Sequence, residues 1–215
     1  LETKRTLKSF CVDHFENFSD IENLIESTLS NKIVVKRLNI PWHKLHHDQP
    51  AQYNFISALT TNTTITEVHL DHLKAGEGCA LFARLFRENS TLKKVSMPYV
   101  LNINRITEQA LDLFDAMASN TSITFLVFSG NIRSSIWSIY TEFFSRLRFN
   151  TSLKRLIIDA EITNIFAGAV YNNYTILDIH QNGAFAHDRI FSWLTDRNNH
   201  NRAIRKTSLS SLFLI

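Results

Sequence analysis

A nine-residue phrase recurs along the chain and constrains its fold more than any other feature. Each full copy begins with Asn, continues with small hydroxyl residues and places apolar side chains three, six and eight positions after the Asn. The full copies occupy residues 62–70, 89–97, 120–128 and 150–158. An earlier copy supplies Val35, Leu38 and Ile40, and a degenerate later copy supplies Ile176 and Ile179. Self-similarity of this kind is typical of a stacked repeat protein.

The spacing between copies sets the size of the repeating unit. The first apolar residues of the copies are separated by 30, 27, 31, 30 and 23 residues. These first anchors are Val35, Ile65, Leu92, Ile123, Leu153 and Ile176. A pair of apolar residues four positions apart lies just upstream of each phrase, and this spacing predicts one face of a helix. The pairs are Ile25/Leu29, Phe55/Leu59, Phe82/Phe86, Leu113/Met117, Phe143/Leu147 and Phe166/Val170.

Each unit therefore reads as a helix, a tight turn and a short strand, since apolar residues two apart share one face of a strand. A single unit of this size cannot bury its own apolar stripe, but stacked units bury one between helices and a parallel sheet. We predict one α/β domain over 1–215, a curved solenoid of about six repeats with a concave sheet and convex helices. Its parts are a helical cap over 1–30, repeats over 31–181, and a C-terminal cap and tail over 182–215.

The phrase, with its apolar-x-x-apolar-x-apolar strand after a helix and Asn-Thr-Thr or Asn-Thr-Ser, resembles the leucine-rich repeat. It is similar to the long ribonuclease-inhibitor-like subclass, which also occurs in tropomodulin-type proteins. The Asn-Thr-Thr phrasing, the richness in Asn, Ile and Phe, and the low repeat number resemble leucine-rich-repeat effectors of intracellular bacterial pathogens. That resemblance implies a non-catalytic interaction module, a role in virulence, and action on a host protein in the host-cell cytosol after secretion.

Composition narrows the remaining functions. The formal charge of +3 is too small for the dense positive field of a non-specific nucleic-acid binder. Two cysteines among 215 residues indicate a reducing compartment, and we expect a cytoplasmic location. No apolar run reaches the length of a membrane helix, so we expect no membrane partner. Five glycines form no phosphate-binding loop, and neither Cys11 nor Cys79 lies in a nucleophile signature. The sequence predicts no enzyme and no cofactor.

Histidines and aspartates cluster around the first full copy of the phrase. They are His43, His46, His47, Asp48, His69, Asp71 and His72. These residue types bind zinc when three or four of them converge at about 2.0 to 2.2 Å. Proximity in sequence does not provide such convergence, so we favour a solvated loop and expect no metal site.

Six Asn-x-Ser/Thr sequons occur, and in a secreted eukaryotic chain they would indicate glycosylation. They begin at Asn17, Asn62, Asn89, Asn120, Asn150 and Asn173. Five of the six fall at one repeat position between helix and strand. Asn tolerates a left-handed backbone there and Ser or Thr can bond the turn, so we favour a structural role.

The residues between the apolar anchors of each strand face away from the helices. They include basic residues in alternate repeats, together with an aromatic and aliphatic group. The candidate partner-binding residues are Lys36, Arg37, His69, Lys93, Lys94, Phe125, Val127, Lys154, Arg155 and Ile157. An apolar cluster ringed by Lys and Arg is typical of the centre of a protein interface. We predict a protein partner with an acidic or mixed acidic and apolar surface.

Three alternatives stay open for this surface. In the first, the basic residues are ordinary solvated strand residues and Phe125 covers a neighbour. Nucleic acid could bind the basic pairs, although acidic residues interrupt the stripe and aromatic residues are sparse. An adaptor that recruits ubiquitin-ligase machinery would resemble some relatives, but we find no recruiting motif in the N-terminal segment.

Overall fold

The computed structural model describes residues 6–11, 34–41, 49–71, 78–98, 108–129, 137–159, 175–176 and 178–181. The strands are β1 (Thr6–Cys11), β2 (Val34–Pro41), β3 (Glu67–Asp71), β4 (Lys94–Pro98), β5 (Phe125–Ser129), β6 (Arg155–Asp159) and β7 (Asp178–Gln181). The helices are α1 (Gln49–Thr61), α2 (Cys79–Glu88), α3 (Glu108–Ser119) and α4 (Trp137–Leu147). Strands and helices alternate from β2 to β6, as the repeat predicts.

The strands form one parallel sheet whose order is the order of the chain, from β1 to β7. The second anchors of the phrase are in register across it. Leu38 pairs with Val68, Val68 with Val95, Val95 with Leu126, Leu126 with Leu156, and Leu156 with Ile179. Each unit therefore advances the sheet by one strand, which is how a solenoid is built.

One apolar core lies between the sheet and the helices. The anchors from Val35 to Met97, the anchors Ile123, Leu126, Leu153, Leu156 and Ile176, and the paired residues of the four helices belong to a single cluster of buried side chains. Its largest members are phenylalanines, and the rings of Phe114 and Phe143 meet edge to face at 5.2 Å. The predicted helical pairs from Phe55/Leu59 to Phe143/Leu147 are all buried. The pairs Ile25/Leu29 and Phe166/Val170 lie outside the described residues.

Strand β1 was not predicted, because residues 1–30 were interpreted as a helical cap. It pairs with β2, and Leu7 and Phe10 align with the anchors Val35 and Leu38. The segment Thr-Leu-Lys-Ser-Phe-Cys-Val at 6–12 matches Thr-Leu-Lys-Lys-Val-Ser-Met at 91–97. Residue 4 is Lys where the phrase has Asn, so the search for Asn missed this copy. The rest of the predicted caps lies outside the described residues.

The asparagines of the four full copies are buried, and Asn89, Asn120 and Asn150 each connect their repeat to the preceding one. Asn120 is 7% exposed, and its Oδ1 accepts hydrogen bonds from the backbone N–H groups of Ser122 (2.9 Å) and Ile123 (2.8 Å). Its Nδ2 donates to the carbonyl of Phe86, 2.7 Å away, in the last turn of α2. The final carbonyls of a helix lack partners within that helix. The Asn side chain therefore caps the helix of the preceding repeat and also stabilises the turn of its own repeat.

The same contacts recur in the neighbouring repeats. Asn89 Nδ2 donates to the carbonyl of Leu59 at 2.9 Å, and Asn150 Nδ2 to that of Met117 at 2.9 Å. The hydroxyl two residues later also crosses between repeats, since Ser152 Oγ donates to the carbonyls of Asn120 and Ile123, both at 2.9 Å. Both residue types of the Asn-x-Ser/Thr pattern are thus hydrogen-bonded across repeats.

This arrangement supports the structural interpretation of the sequons but corrects its reason. Asn89 has φ −83° and ψ 123°, which is extended backbone, so a left-handed conformation is not what Asn provides there. Its amide side chain is what the position needs. A glycan on Nδ2 would displace the bond to the preceding helix.

Candidate protein-interaction surface

At the start of β5 and β6, the side chains depart from strict alternation between the two faces of the sheet. The carbonyl of Lys93 accepts hydrogen bonds from two successive backbone N–H groups, those of Thr124 (2.9 Å) and Phe125 (3.0 Å). The carbonyl of Thr124 likewise accepts from Lys154 (2.9 Å) and Arg155 (3.0 Å). When two N–H groups share one carbonyl, two successive residues can lie outside the core, as in a β-bulge. This geometry lets both members of a basic pair avoid burial.

We call the described part of this helix-free face the open face, and its residues form three rows across the strands. The first row contains Lys36, Thr66, Lys93, Thr124 and Lys154, joined by successive backbone hydrogen bonds. The second contains Arg37, Glu67, Lys94, Phe125 and Arg155, paired in register. The third contains Asn39, His69, Ser96, Val127 and Ile157, also in register. All ten predicted partner-binding residues lie in these rows.

Phe125 lies on strand β5 of the open face, between two cations. The Nζ of Lys94, on the neighbouring strand β4, is 4.7 Å from the ring centroid. The guanidinium carbon of Arg155, on the other neighbouring strand β6, is 5.3 Å from it. Phe125 is half-buried, although it lies on the face of the sheet opposite the helices and outside the apolar core. The ring therefore does contact its neighbours, as the alternative interpretation of this residue required, but it retains exposed surface.

The positive charge of the open face is unevenly distributed. Arg37 Nε lies 3.1 Å from Glu67 Oε2, so one of the two basic residues of β2 is paired with an acid of β3. Lys93 and Lys154 are exposed, and neither forms an ion pair with another described residue. Asp178 is in register with Arg155 at the far side. Two exposed lysines that form no ion pair with another described residue, Lys93 and Lys154, therefore lie beside the strand that carries Phe125.

The apolar part of the open face consists of the residues that the sequence analysis named and lies on β5 and β6. Val127 and Ile157 are in register on neighbouring strands and are half-buried, as is His69. Ser96, which continues the row beside Val127, is buried. Among the described residues, the apolar group thus forms a compact patch over β5 and β6.

Two exposed aromatic side chains were missed because they lie outside the strands. Phe149 is 66% exposed, and the guanidinium carbon of Arg148 lies 4.5 Å from its ring centroid. It directly precedes Asn150, where the other full copies have Thr61, Glu88 or Ser119, and this departure from a polar residue is a signal the sequence contained. Tyr53 is 51% exposed on α1, and its hydroxyl accepts a hydrogen bond from Arg84 at 3.4 Å.

Ion pairs connect the helices on the opposite side of the molecule. Arg87 on α2 pairs with Asp112 on α3, and Arg146 Nε on α4 lies 2.9 Å from Asp115 Oδ1 on α3. The hydrogen bond from Arg87 lowers the pKa of Asp112 below its usual value, and the same pairing raises the pKa of Arg87. These charges satisfy one another, in contrast to Lys93 and Lys154.

The described residues also bear on metal binding, on the cysteine and on membrane insertion. Within the described ranges, no group of three or more His, Cys, Asp or Glu side chains is arranged to hold a metal ion. Most of the histidine and aspartate cluster, including His43, His46 and His47, lies outside those ranges. Cys79, which lies in no nucleophile signature, is buried at 3% exposure. None of the described helices is both long and apolar enough to span a bilayer.

Comparison with known proteins supports the fold. No protein-family model matches the sequence, and no curated protein matches it. Among solved structures, a tropomodulin C-terminal domain from Caenorhabditis elegans is similar, with a TM-score of 0.52 and 14% sequence identity. The similarity covers 88% of this chain and 99% of that chain. At this identity the likeness concerns the fold alone. The chain has a leucine-rich-repeat-like α/β architecture with a parallel sheet.

Proposed function

We propose that this chain is a non-catalytic protein-binding module and that its partner binds the open face. The observation that carries the proposal is Phe125, a half-exposed aromatic ring held between Lys94 and Arg155. Aromatic and Arg side chains contribute a large share of binding energy at protein interfaces. Here they occur together on a face that the repeat itself does not need for its core.

The charge around the ring defines the partner. Lys93, Lys94 and Lys154 are close to Phe125, Val127 and Ile157, so a complementary surface carries carboxylates beside an apolar group. Charge complementarity speeds association and excludes basic partners, whereas the apolar centre supplies most of the affinity. The partner is thus a protein with a mixed acidic and apolar surface.

The wider biological setting is part of the same proposal. The resemblance of the Asn-Thr-Thr phrasing to leucine-rich-repeat effectors of intracellular bacterial pathogens supports a host protein as the partner, met in the host cytosol. Three further parts of the proposal rest on the sequence pattern: the ribonuclease-inhibitor-like subclass, the count of about six repeats, and helical caps in the part of the chain outside the described residues.

The test is affinity capture from host and self lysates followed by mass spectrometry. We expect wild-type protein to enrich a partner and the Phe125→Glu/Arg155→Glu variant to lose it while keeping its circular dichroism spectrum and Tm. The matched control is Tyr53→Glu/Arg84→Glu, which changes an aromatic and an arginine on the helix side. Loss of the partner with the control, and retention with the open-face variant, would place the interface on the helices.

A further inference from the structure

The first row of the open face contains an array of evenly spaced cations. Lys36 on β2, Lys93 directly before β4 and Lys154 directly before β6 are exposed, and Thr66 and Thr124 lie between them in the row. The row is continuous, since N–H groups from Thr66 to Lys154 donate to the preceding member at 2.8 to 2.9 Å. The threonine hydroxyls donate back to the carbonyls of Lys36 (3.2 Å) and Lys93 (3.3 Å). Short side chains tied to the backbone thus separate long charged ones.

The spacing of this lysine row follows from the sheet. Neighbouring strands lie about 4.8 Å apart, so consecutive lysines of the row are about 9.6 Å apart and the three span about 19 Å. No described residue forms an ion pair with any of the three. Their charges are therefore available to one anionic partner lying across the strands.

An α-helix repeats its surface at nearly this distance. Seven residues of helix rise about 10.5 Å, so acidic residues at i, i+7 and i+14 present one carboxylate to each lysine. The mismatch over the row is about 2 Å, which flexible lysine side chains can absorb. An extended strand rises about 10 Å in three residues, but its third residue points to the opposite face.

The width of the surface also favours a helix. Phe125, Val127 and Ile157 lie one to three residues beyond the lysine row along their strands, a distance of about 3 to 10 Å. A helix is about 10 to 12 Å wide and covers both features at once. A polyproline helix repeats every three residues at about 9.3 Å and also matches the lysines, but it is thinner and reaches fewer of the apolar side chains.

The geometry points to an acidic amphipathic helix as the partner segment, laid across the strands of the open face. Carboxylates at heptad spacing meet Lys36, Lys93 and Lys154, and an adjoining apolar flank meets Phe125, Val127 and Ile157. This inference rests on the proposed function and adds to it the conformation, direction and charge spacing of the partner.

The probe is a synthetic three-heptad peptide, about 21 residues long, with Glu once per heptad and Leu and Val on the neighbouring flank. The control peptide has the same composition with Glu at i, i+4 and i+8, an axial spacing of about 6 Å. Fluorescence anisotropy with the full chain at low ionic strength measures both affinities. We expect the heptad peptide to bind about tenfold more tightly, since only its charges reach all three lysines.

Variants of the lysine row supply the second readout. Each of Lys36→Gln, Lys93→Gln and Lys154→Gln should weaken the heptad peptide about threefold, and the triple variant about thirtyfold, the range of exposed ion pairs. Arg84→Gln removes an equal charge on the helix side and should leave the affinity unchanged. Sensitivity to Lys36 and Lys154 together requires a ligand that spans the row.

Several results would overturn the inference. Equal binding of the two peptides, tighter binding of a Glu-Pro-Pro repeat peptide, or no binding of the heptad peptide removes the helical ligand. If the Phe125→Glu/Arg155→Glu variant loses peptide binding but the lysine substitutions leave the affinity unchanged, the proposed interface stands and the spacing argument fails. If neither set of substitutions changes the affinity, the open face is not the binding site. Tight, steeply salt-dependent binding of an oligothymidine would replace the helix by nucleic acid.

Discussion

Two polar rows cross the strands of this molecule a few residues apart, and they behave in opposite ways. The asparagine row, Asn89, Asn120 and Asn150, is buried, and its amides donate to the preceding helix. The lysine row is exposed and makes no ion pair among the described residues. A polar group that is buried must be hydrogen-bonded, whereas an exposed one need not be. The first row therefore stabilises the fold, and the second is the one that we propose contacts a partner.

The largest effect should come from the asparagine row. Asn120→Ala removes the acceptor of two backbone N–H groups and the donor to Phe86, so buried polar groups lose their partners. We expect a loss of about 2 to 4 kcal/mol in the free energy of unfolding, measured by urea denaturation. Asn54→Ala, on the exposed side of α1, should change it by less than about 0.5 kcal/mol. Equal effects would show that burial does not distinguish the two asparagines.

The hydroxyls of the phrase offer a finer comparison between neighbouring residues. Ser152 donates to two carbonyls of the preceding repeat, whereas Thr151 is exposed. Ser152→Ala should therefore cost about 1 kcal/mol, the usual net value of a buried hydrogen bond, and Thr151→Ala close to nothing. Thermal and chemical unfolding of the pair measure the difference. The reverse order would contradict the hydrogen bonds across repeats.

The ion pair between α2 and α3 should contribute less, because both side chains are close to half exposed. A double-mutant cycle with Arg87→Gln and Asp112→Asn should give a coupling of about 0.5 kcal/mol at neutral pH. The pKa of Asp112 is lowered in the folded state, so this stability is present above its unfolded pKa. It should be lost as the pH falls through the folded pKa. A coupling that grows in acid would contradict this sign.

The smallest effect on stability should come from the lysine row. Lys93→Gln and Lys154→Gln remove exposed charges that have no described ion-pair partner, so each should change the free energy of unfolding by less than about 0.5 kcal/mol. Urea denaturation beside Asn120→Ala makes the contrast quantitative. A loss above 1 kcal/mol for either lysine would mean that this row, too, serves the fold.

The sequence predicted the repeat well because each anchor is constrained in the same way in every unit. Equivalent positions in one core are occupied by Val68, Val95 and Leu126, so periodicity alone identifies them. Strand β1 was missed because its copy lacks the Asn on which the search depended. The asparagines were placed correctly, but their bonds to the preceding helix could not be foreseen, since they join residues about 30 positions apart.

The open face was harder to predict because it departs from the repeat. Register placed Lys94, Phe125 and Arg155 side by side as expected, but only the structure shows the ring between two cations and the pairing of Arg37 with Glu67. Phe149 and Tyr53 were not predicted, because neither lies at a strand position of the phrase. Residues that break a periodic pattern carry the functional signal in a repeat protein, wherever in the unit they occur.

Three aromatic and arginine pairs on three surfaces allow the central claim to be tested in one measurement. They are Phe125/Arg155 on the open face, Tyr53/Arg84 on the helices and Phe149/Arg148 beside the last helical turn. Each pair is changed to Glu, and the amount of partner captured per folded molecule is quantified by mass spectrometry. Our account predicts loss for the open-face variant only. Full capture by that variant, with its Tm preserved, would contradict the account.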